Sequence, residues 1–361
     1  MGSRVSETAQ QDTGLSAPPE GGKAGGASPL LRQVGGFVLK QRELTVFVVA
    51  AVLFIYFLFS SGQVNTAFIG QNNLVNLLSD IAAPIIIIAL GEVMLLICGE
   101  MDLSVGFIYT FAPFVMYFAV QDWHLPPIVG ILLGLIMGLV VGWVNAFLTV
   151  TLNLPSFITT LGTGFILLGI VLTTSNAQPV SIPPSTMGVA KFFTTEQLVN
   201  STNWTTIIWA VALTIIMHLV LTRTRWGLHT VAVGGNLTGA REAGIKVNRI
   251  KYGNFMLTGL FGALVGIQVA YQTGSIDPTS GQYTPMFYSM AAAVIGGTAM
   301  RGGVGTIIGA FFGSFVIALM EDGFNILGVS ANPLTIIYGT VVIVAMIANV
   351  SLTRLRERGR T

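Results

Sequence analysis

The placement of basic residues between long apolar runs restricts the fold of this chain more than any other feature. All but one of its 17 Lys and Arg residues fall in four stations, which are Arg4–Arg42, Arg223–Lys251, Arg301 and Arg354–Arg360, and the exception is Lys191. The runs between the stations are apolar, and a helix needs roughly 20 such residues to cross a bilayer core of about 30 Å. The sequence therefore predicts an integral membrane protein.

The four stations also constrain the number of crossings. Because Lys and Arg near short loops stay on the cytoplasmic side, an even number of spans should separate consecutive stations. Ten apolar segments satisfy this condition, and they are 44–60, 81–98, 104–120, 127–150, 157–174, 204–221, 253–271, 286–300, 304–320 and 333–350. The predicted fold is all-α and polytopic, with about ten transmembrane helices and both termini in the cytoplasm.

Composition divides the chain into two predicted tails and one predicted transmembrane domain. Apolar residues make up 53% of the sequence and charged residues 9%, against roughly 25% charged residues in soluble domains. Residues 1–30 are rich in Gly, Ser, Pro and Gln and are predicted to be a disordered cytoplasmic tail. Residues 31–350 form the predicted transmembrane domain, with a cytoplasmic loop at 222–252, and residues 351–361 form a basic cytoplasmic tail.

Several functions are disfavoured by what the sequence lacks. No phosphate-binding G-x-x-x-x-G-K-[ST] motif is present, so the chain is not expected to hydrolyse ATP by itself. The three histidines lie in separate segments and Cys98 is the only cysteine, which gives no metal-ligand spacing. No catalytic residue, metal or bound cofactor is predicted, and the basic loop lacks the aromatic interleaving of a nucleic-acid surface.

Glu92 is the carboxylate that lies most clearly inside a predicted span, since Asp80 falls at the outer boundary of the second one. A charge at the centre of a helix in the bilayer costs about 2.5–3.5 kcal/mol on insertion scales. Glu92 is therefore expected to face the protein interior or a wet cavity, or to be protonated. It is a candidate residue of a transport pathway, but a proton relay would need several such groups.

Glycines recur at helical spacing in three of the predicted spans. Such stripes allow helices in lipid to approach closely. They are interpreted as packing surfaces and comprise Gly130, Gly134, Gly138 and Gly142, then Gly259, Gly262 and Gly266, and then Gly305, Gly309 and Gly313.

Two cytoplasmic turns differ from these packing glycines. They are GEMDLSVG at 99–106 and VIGGTAMRGGVGTIIGA at 294–310, where the backbone must turn sharply or break while its polar groups stay shielded. Asp102 or Ser104 could simply cap the third span. The alternative is a gating or turn role, for which the candidates are Gly99, Asp102, Ser104, Gly106, Gly302 and Gly303.

The basic loop has its own pattern, AVGGNLTGAREAGIKVNRIK, at 232–251. After the Gly-Gly pair the sequence predicts one short exposed helix, Ala240–Ile245, which carries Arg241 and Glu242 and is ended by Gly244. Such a helix is either a docking element for a cytoplasmic partner or part of a solvated loop that obeys the charge bias. The residues alone leave both interpretations open.

These three segments, in this order and separation, resemble the membrane permeases of bacterial ribose-type monosaccharide ABC importers, over residues 72–350. The resemblance implies a type II importer-like fold in the inner membrane, a second permease copy in a homodimer or heterodimer, and a periplasmic sugar-binding protein. It also implies a cytoplasmic ATPase with tandem nucleotide-binding halves that holds ATP and Mg²⁺. It assigns the docking role, in a coupling loop at 222–252, to Ala240, Arg241, Glu242, Ala243 and Gly244.

The chain departs from the family pattern at a few carboxylates. The family more often has GG(I)DLSVG where this chain has Glu100, and usually an apolar residue near Glu92. The pair Glu321 and Asp322, at the outer end of the ninth span, is less typical and is a candidate contact for the binding protein.

The expected function is the permease subunit of an ATP-driven importer for a monosaccharide or related polyol. Which sugar it carries is left open, because selection is expected to reside mainly in the binding protein. The alternative from another class is an ion- or proton-coupled secondary sugar carrier with inverted halves and broken helices, and a scaffolding membrane protein is a third possibility.

Overall fold

The computed structural model of the chain describes residues 42–60, 63–186, 188 and 204–330, and part of the stretch from 332 to 347. The predicted tails at 1–30 and 351–361, Lys191 and part of the last predicted span lie outside the described residues. The predictions made for them stay predictions.

The described chain is almost entirely helical. The helices are α1 Arg42–Phe59, α2 Gln63–Phe68, α3 Gln71–Ile97, α4 Val105–Gln121, α5 Pro127–Thr151, α6 Ser156–Thr174, α7 Thr205–Arg223, α8 Arg225–Gly235, α9 Leu237–Glu242, α10 Val247–Thr273, α11 Tyr283–Ile295 and α12 Ile307–Ile326. Within them, α3 has a π-helical segment at Asn76–Ala82 and α5 ends in one at Phe147–Thr151. The strands β1 Val180–Ser181 and β2 Ser275–Ile276 pair antiparallel, and Pro184–Thr186 forms a 3₁₀ turn.

The predicted all-α, polytopic class is confirmed. Six of the described helices are long and apolar enough to cross a membrane, namely α3, α5, α6, α7, α10 and α12, and shorter apolar helices cover Glu43–Phe59 and Val105–Gln121. Each of the ten predicted segments overlaps described helical residues. The number of crossings and the side of the termini remain predictions.

Helix α3 forms the centre of the bundle. Its segment Ala83–Ile97 is apolar at every position except Glu92 and buried at nearly every position, as expected for a helix without a continuous polar face. It packs against α7, α10, α11 and α12. These four helices therefore surround α3, whereas α4 and α5 pack against α10 and α6 packs against α4.

The glycine stripes lie where helices make close backbone contact, as predicted. A Cβ atom on Gly138 of α5 would lie 2.4 Å from the Gly259 carbonyl oxygen of α10, and one on Gly313 of α12 would lie 2.2 Å from the Ala292 carbonyl oxygen of α11. Both distances are far below van der Waals contact. Only glycine therefore permits these helix pairs to approach as they do.

Several helix boundaries differ from the predicted spans, and two of the differences place carboxylates inside helices. Helix α3 begins at Gln71 and not at 81, so that Asp80 lies inside it, and α12 continues to Ile326, so that Glu321 and Asp322 lie inside it. The sequence-based boundaries followed the apolar runs. The helices continue beyond those runs because polar side chains of α3 and α12 bind one another, as described below.

Helices α4 and α11 are short, and their N-terminal ends meet. With 13 residues, α11 is about 20 Å long, less than a bilayer core of about 30 Å. The predicted span 286–300 was therefore wrong at its cytoplasmic end, because the helix stops before Gly296. The backbone N–H of Gln282 donates to the Gly106 carbonyl at 2.8 Å, so non-helical backbone is held inside the protein, where its polar groups have partners.

Candidate functional site

The three segments singled out from the sequence converge at the C-terminal end of α3. The N–H of Gly303 donates to the Ile97 carbonyl at 2.8 Å. A Cβ atom on Gly234, at the end of α8, would lie 1.6 Å from that same oxygen. A Cβ atom on Gly302 would lie 2.9 Å from the Gly234 carbonyl and 3.1 Å from the Gly99 nitrogen. We call residues 97–99, 234–235 and 302–303 the three-way junction.

Glycine conformation makes the junction possible. Gly99, Gly302 and Gly303 have φ angles of 79°, 85° and 77°, in the left-handed region that other residues adopt at a cost. The prediction that these glycines turn the chain sharply is confirmed. The gating role proposed for them stays a hypothesis.

A buried polar cluster connects the first of these turns to α5. The Asp102 carboxylate accepts from the Ser104 backbone N–H at 2.8 Å and from its hydroxyl at 2.6 Å. The Asn145 amide donates to the Ser104 hydroxyl at 2.7 Å and to both Asp102 oxygens at 3.3 Å. Burial raises the pKa of Asp102 to about 6, while the hydrogen bonds from Ser104 and Asn145 act in the opposite direction.

The capping interpretation is wrong for Ser104, whereas Asp102 does accept a backbone N–H, that of Ser104, at the start of α4. Ser104 occupies the N-cap position of α4, but its side chain makes no capping hydrogen bond. The hydroxyl donates to Asp102 instead. The turn at 99–106 is also held by α6, because the Leu103 N–H donates to the Thr160 hydroxyl at 3.0 Å.

Glu92 is fully buried in α3, which agrees with the expected interior orientation. It lies near enough to Asp102 for the two carboxyl groups to interact. The structure thus brings together two sequence candidates that are ten positions apart. A role for Glu92 in a solute pathway stays a hypothesis.

An ion pair joins the first turn to α10. Lys251 Nζ lies 2.5 Å from Glu100 Oε1, and the two side chains are 15% and 13% exposed. Beside them is a cleft of about 290 Å³ lined by residues of the α5–α6 connection and by Leu237, Arg241, Val247 and Asn248. The sequence marked Glu100 only as a departure from the family pattern.

The short helix of the basic loop starts earlier than predicted. It is α9, Leu237–Glu242, because the Asn236 side chain caps it by accepting from the Gly239 N–H at 2.9 Å. Ala243 and Gly244 follow the helix, and Gly244 turns the chain with a φ of 77°. Arg241, Glu242, Ala243 and Gly244 are exposed.

Ala240 differs from its neighbours in α9, and the expectation of an exposed helix was wrong for it. It is 4% exposed and packs in one apolar cluster with Cys98, Val233, Val247 and Ile250. Helix α9 therefore packs by one face against α8 and α10, in a cluster that includes Cys98 at the end of α3, and presents charged side chains on the other.

The sequence did not reveal three of the residues that build this region. Asn145, Thr160 and Lys251 act through partners that are distant along the chain. The only available signal was a lone amide, Asn145, inside an apolar span, where polar side chains often form hydrogen bonds between helices.

Comparison with known proteins identifies the family. The family model described as "Branched-chain amino acid transport system / permease component" matches residues 73–348. The xylose/arabinose import permease protein XylH of Sulfolobus acidocaldarius is 34% identical over 86% of this chain and 85% of its own. The probable ABC transporter permease protein YphD of Escherichia coli is 35% identical over 88% and 92%, and the ribose import permease protein RbsC of Bacillus subtilis is 32% identical over 78% and 86%.

These matches cover most of the chain, and they agree with the resemblance carried by the three segments. They support a transport subunit that works with a separate ATPase and a binding protein, and they do not support a secondary carrier or an enzyme. The chain belongs to this family of ABC importer permeases and is a multi-pass subunit of the inner membrane.

Proposed function

We propose that this chain forms the translocation pathway for a monosaccharide or a related polyol in an ATP-driven importer. The names of its relatives support a sugar, since they specify xylose and arabinose, ribose, and fructose. The family description names branched-chain amino acids instead. The individual relatives carry more weight here, because they match most of the chain at about one third identity.

The observation that carries the mechanism is the position of α9 on the three-way junction. Ala240 anchors α9 against Cys98 and Val233, next to the Ile97 carbonyl that binds Gly303. A displacement of α9 would therefore act on α8 and α10, which it contacts, and through Gly234 of α8 on the Ile97 carbonyl and the 302–303 turn. Arg241, Glu242, Ala243 and Gly244 supply the exposed surface on which the ATPase would act.

The remaining parts of the importer follow from the family. A second permease copy, identical or related, would complete the pathway, and an ATPase with tandem halves would hold ATP and Mg²⁺. A periplasmic binding protein would deliver the sugar. Closure of the ATPase would favour one of two conformations of the permease by contacting α9 differently in each. The turns with Gly99, Asp102, Ser104, Gly106, Gly302 and Gly303 would shift their positions between the two conformations.

The test is the double variant Arg241→Ala/Glu242→Ala in the complete importer. We expect the loaded binding protein to stimulate ATP hydrolysis much less than in the natural importer, and sugar uptake to fall with it. Arg249→Ala is the matched control, because Arg249 is exposed nearby on α10 but lies outside α9. Unchanged stimulation and uptake in the double variant would remove α9 from the coupling role.

A further inference from the structure

A polar cavity lies at the opposite end of α3 from the three-way junction. It measures about 500 Å³ and is lined by Thr66, Ala67, Gly70, Gln71, Asn72, Asn73 and Asn76. It is a shallow depression that is open to the outside over most of its extent, and its volume is within the roughly 300–1,000 Å³ of small-molecule sites. Its lining is unusual for this chain, since four of the seven residues carry amide side chains and none is charged. We call it the amide cavity.

A buried carboxylate orients two of these amides. Asn73 Nδ2 donates to Asp322 Oδ2 at 2.7 Å and to the Phe68 carbonyl at 3.2 Å, and Asn76 Nδ2 donates to Asp322 Oδ1 at 3.3 Å. Asp322 is 2% exposed. Its burial contradicts the expectation that it contacts the binding protein. Its position instead gives it a role inside the permease, as the anchor of the amide cavity.

The anchored amides have acceptor atoms left over. Because the nitrogen and the oxygen of a primary amide diverge, the Oδ1 atoms of Asn73 and Asn76 are held away from Asp322 and keep their capacity to accept. Gln71 and Asn72 are exposed, and each offers both a donor and an acceptor. The cavity thus presents several hydrogen-bonding groups, of which those of Asn73 and Asn76 are held in place by Asp322.

This lining specifies the chemistry of a ligand. A hydroxyl group both donates and accepts, so a molecule with several hydroxyls on a rigid frame can bind to several amides at once. An anion would find no basic side chain among the lining residues, and the Asp322 carboxylate beside them already accepts from Asn73 and Asn76. The lining therefore favours an uncharged polyhydroxylated molecule.

The position of the cavity gives it a place in transport. Helix α3 has 27 residues and is about 40 Å long, so the amide cavity and the junction lie at opposite ends of the bundle. If the junction faces the ATPase, as in the proposed function on which this inference rests, the amide cavity faces the side from which the sugar arrives.

Polar groups also continue from the cavity along α3. Asn76 begins the π-helical segment Asn76–Ala82, and such segments are frequent at functional sites. Within it Asp80 is exposed, and the Ser79 hydroxyl is buried without a hydrogen-bond partner among the described residues. We propose that the amide cavity is a solute site of the permease itself, which binds a monosaccharide or polyol released by the binding protein.

The single natural cysteine makes a direct test possible. Cys98 is 3% exposed, so the natural chain should react slowly with maleimides, and Asn72→Cys adds an exposed thiol beside the cavity. The full importer is labelled with a membrane-impermeant maleimide from outside, with increasing D-xylose, D-ribose, D-fructose or L-leucine. We expect at least one sugar to slow labelling in a saturable way and leucine to have no effect.

Three other outcomes of the labelling experiment would contradict the solute site, the sugar class and the assumed orientation, respectively. Labelling from outside that no sugar slows would overturn the solute site and leave the proposed function intact. Protection by leucine alone would overturn the sugar class. If Asn72→Cys reacts only after permeabilisation while Glu242→Cys reacts from outside, the orientation assumed in the proposed function is wrong. Gln121→Cys, exposed at the end of α4 and outside the cavity, controls for effects of sugar on the reagent.

A second variant tests the anchor. In the Asn72→Cys background, Asp322→Asn keeps the size of the side chain but replaces the charged acceptor of Asn73 and Asn76. We expect the sugar concentration for half protection to rise about tenfold, the size expected for a charge-assisted hydrogen bond. Glu321→Gln, which changes the neighbouring carboxylate, should leave it unchanged. Equal protection in the two variants would overturn the role of Asp322.

Discussion

At the scale of single residues, the ion pair between Glu100 and Lys251 is the least expected contact. Glu100 belongs to the first glycine turn, whereas Lys251 lies in the first turns of α10, just after the basic loop. The pattern of apolar residues does not predict this contact, because the two partners lie 151 positions apart in the sequence. The pair ties the turn beside α3 to the helix that follows α9.

Single and double charge reversals at Glu100 and Lys251 measure the interaction between the two side chains separately from the effect of each substitution. Glu100→Lys or Lys251→Glu alone should lower the free energy of unfolding by about 1.5–3 kcal/mol, because each places two like charges in a partly buried position. The double reversal should recover most of that loss. Thermal unfolding of the purified permease measures both effects, and a double variant as unstable as the single ones would contradict a direct interaction.

Asp102 should make stability depend on pH. Its pKa is raised from 3.8 to about 6 in the folded chain, so folding favours the protonated form. Its contribution to stability is complete below the unfolded pKa and is lost as the pH rises through about 6.

The test compares Asp102→Asn with the natural chain. As the pH falls from 7 to 4, the natural chain should gain up to about 3 kcal/mol relative to the variant, at about 1.4 kcal/mol per pKa unit. Denaturant unfolding at several pH values measures this difference. A difference that stays constant over this range would show that Asp102 does not titrate as described.

At the scale of elements, the sequence predicted helices better than it predicted their ends. Each of the ten segments chosen by apolar length overlaps described helical residues, because burial and lipid contact both require apolar length. It missed the first turns of α3 and the last turns of α12, since Asn73, Asn76 and Asp322 satisfy one another there. The Glu100–Lys251 pair and the Asp102 cluster could not be foreseen, because their partners come from distant segments.

The three-way junction provides a matched pair of adjacent glycines. A Cβ atom on Gly234 would meet the Ile97 carbonyl oxygen at 1.6 Å, whereas on Gly235 its nearest neighbour among the described atoms would be 3.9 Å away. Gly234→Ala should therefore destabilise the permease by about 1–3 kcal/mol, as expected for overpacking, and should reduce coupled transport.

Gly235→Ala should have nearly the stability and the coupled transport of the natural chain. The readouts are thermal unfolding of the purified permease and ATP-dependent uptake by the reconstituted importer. Equal behaviour of the two variants would mean that α8 does not approach α3 as closely as described.

At the scale of the whole molecule, the family requires an energy source outside this chain. The permease reconstituted alone, without nucleotide, should not accumulate sugar when a proton or sodium gradient is imposed. Adding the ATPase, the binding protein and ATP should start accumulation, measured as radiolabelled sugar retained in the vesicles. Accumulation driven by an ion gradient alone would contradict the assignment as an ABC permease.

The last carbonyl of α3 has a consequence for how the molecule moves. Helix ends usually leave their final carbonyls to water or to a cap, but the Ile97 oxygen binds Gly303 and lies beneath Gly234. The central helix cannot tilt without carrying the end of α8 and the 302–303 turn along. We therefore expect these parts to move as a rigid block, with flexing confined to the segments that border it.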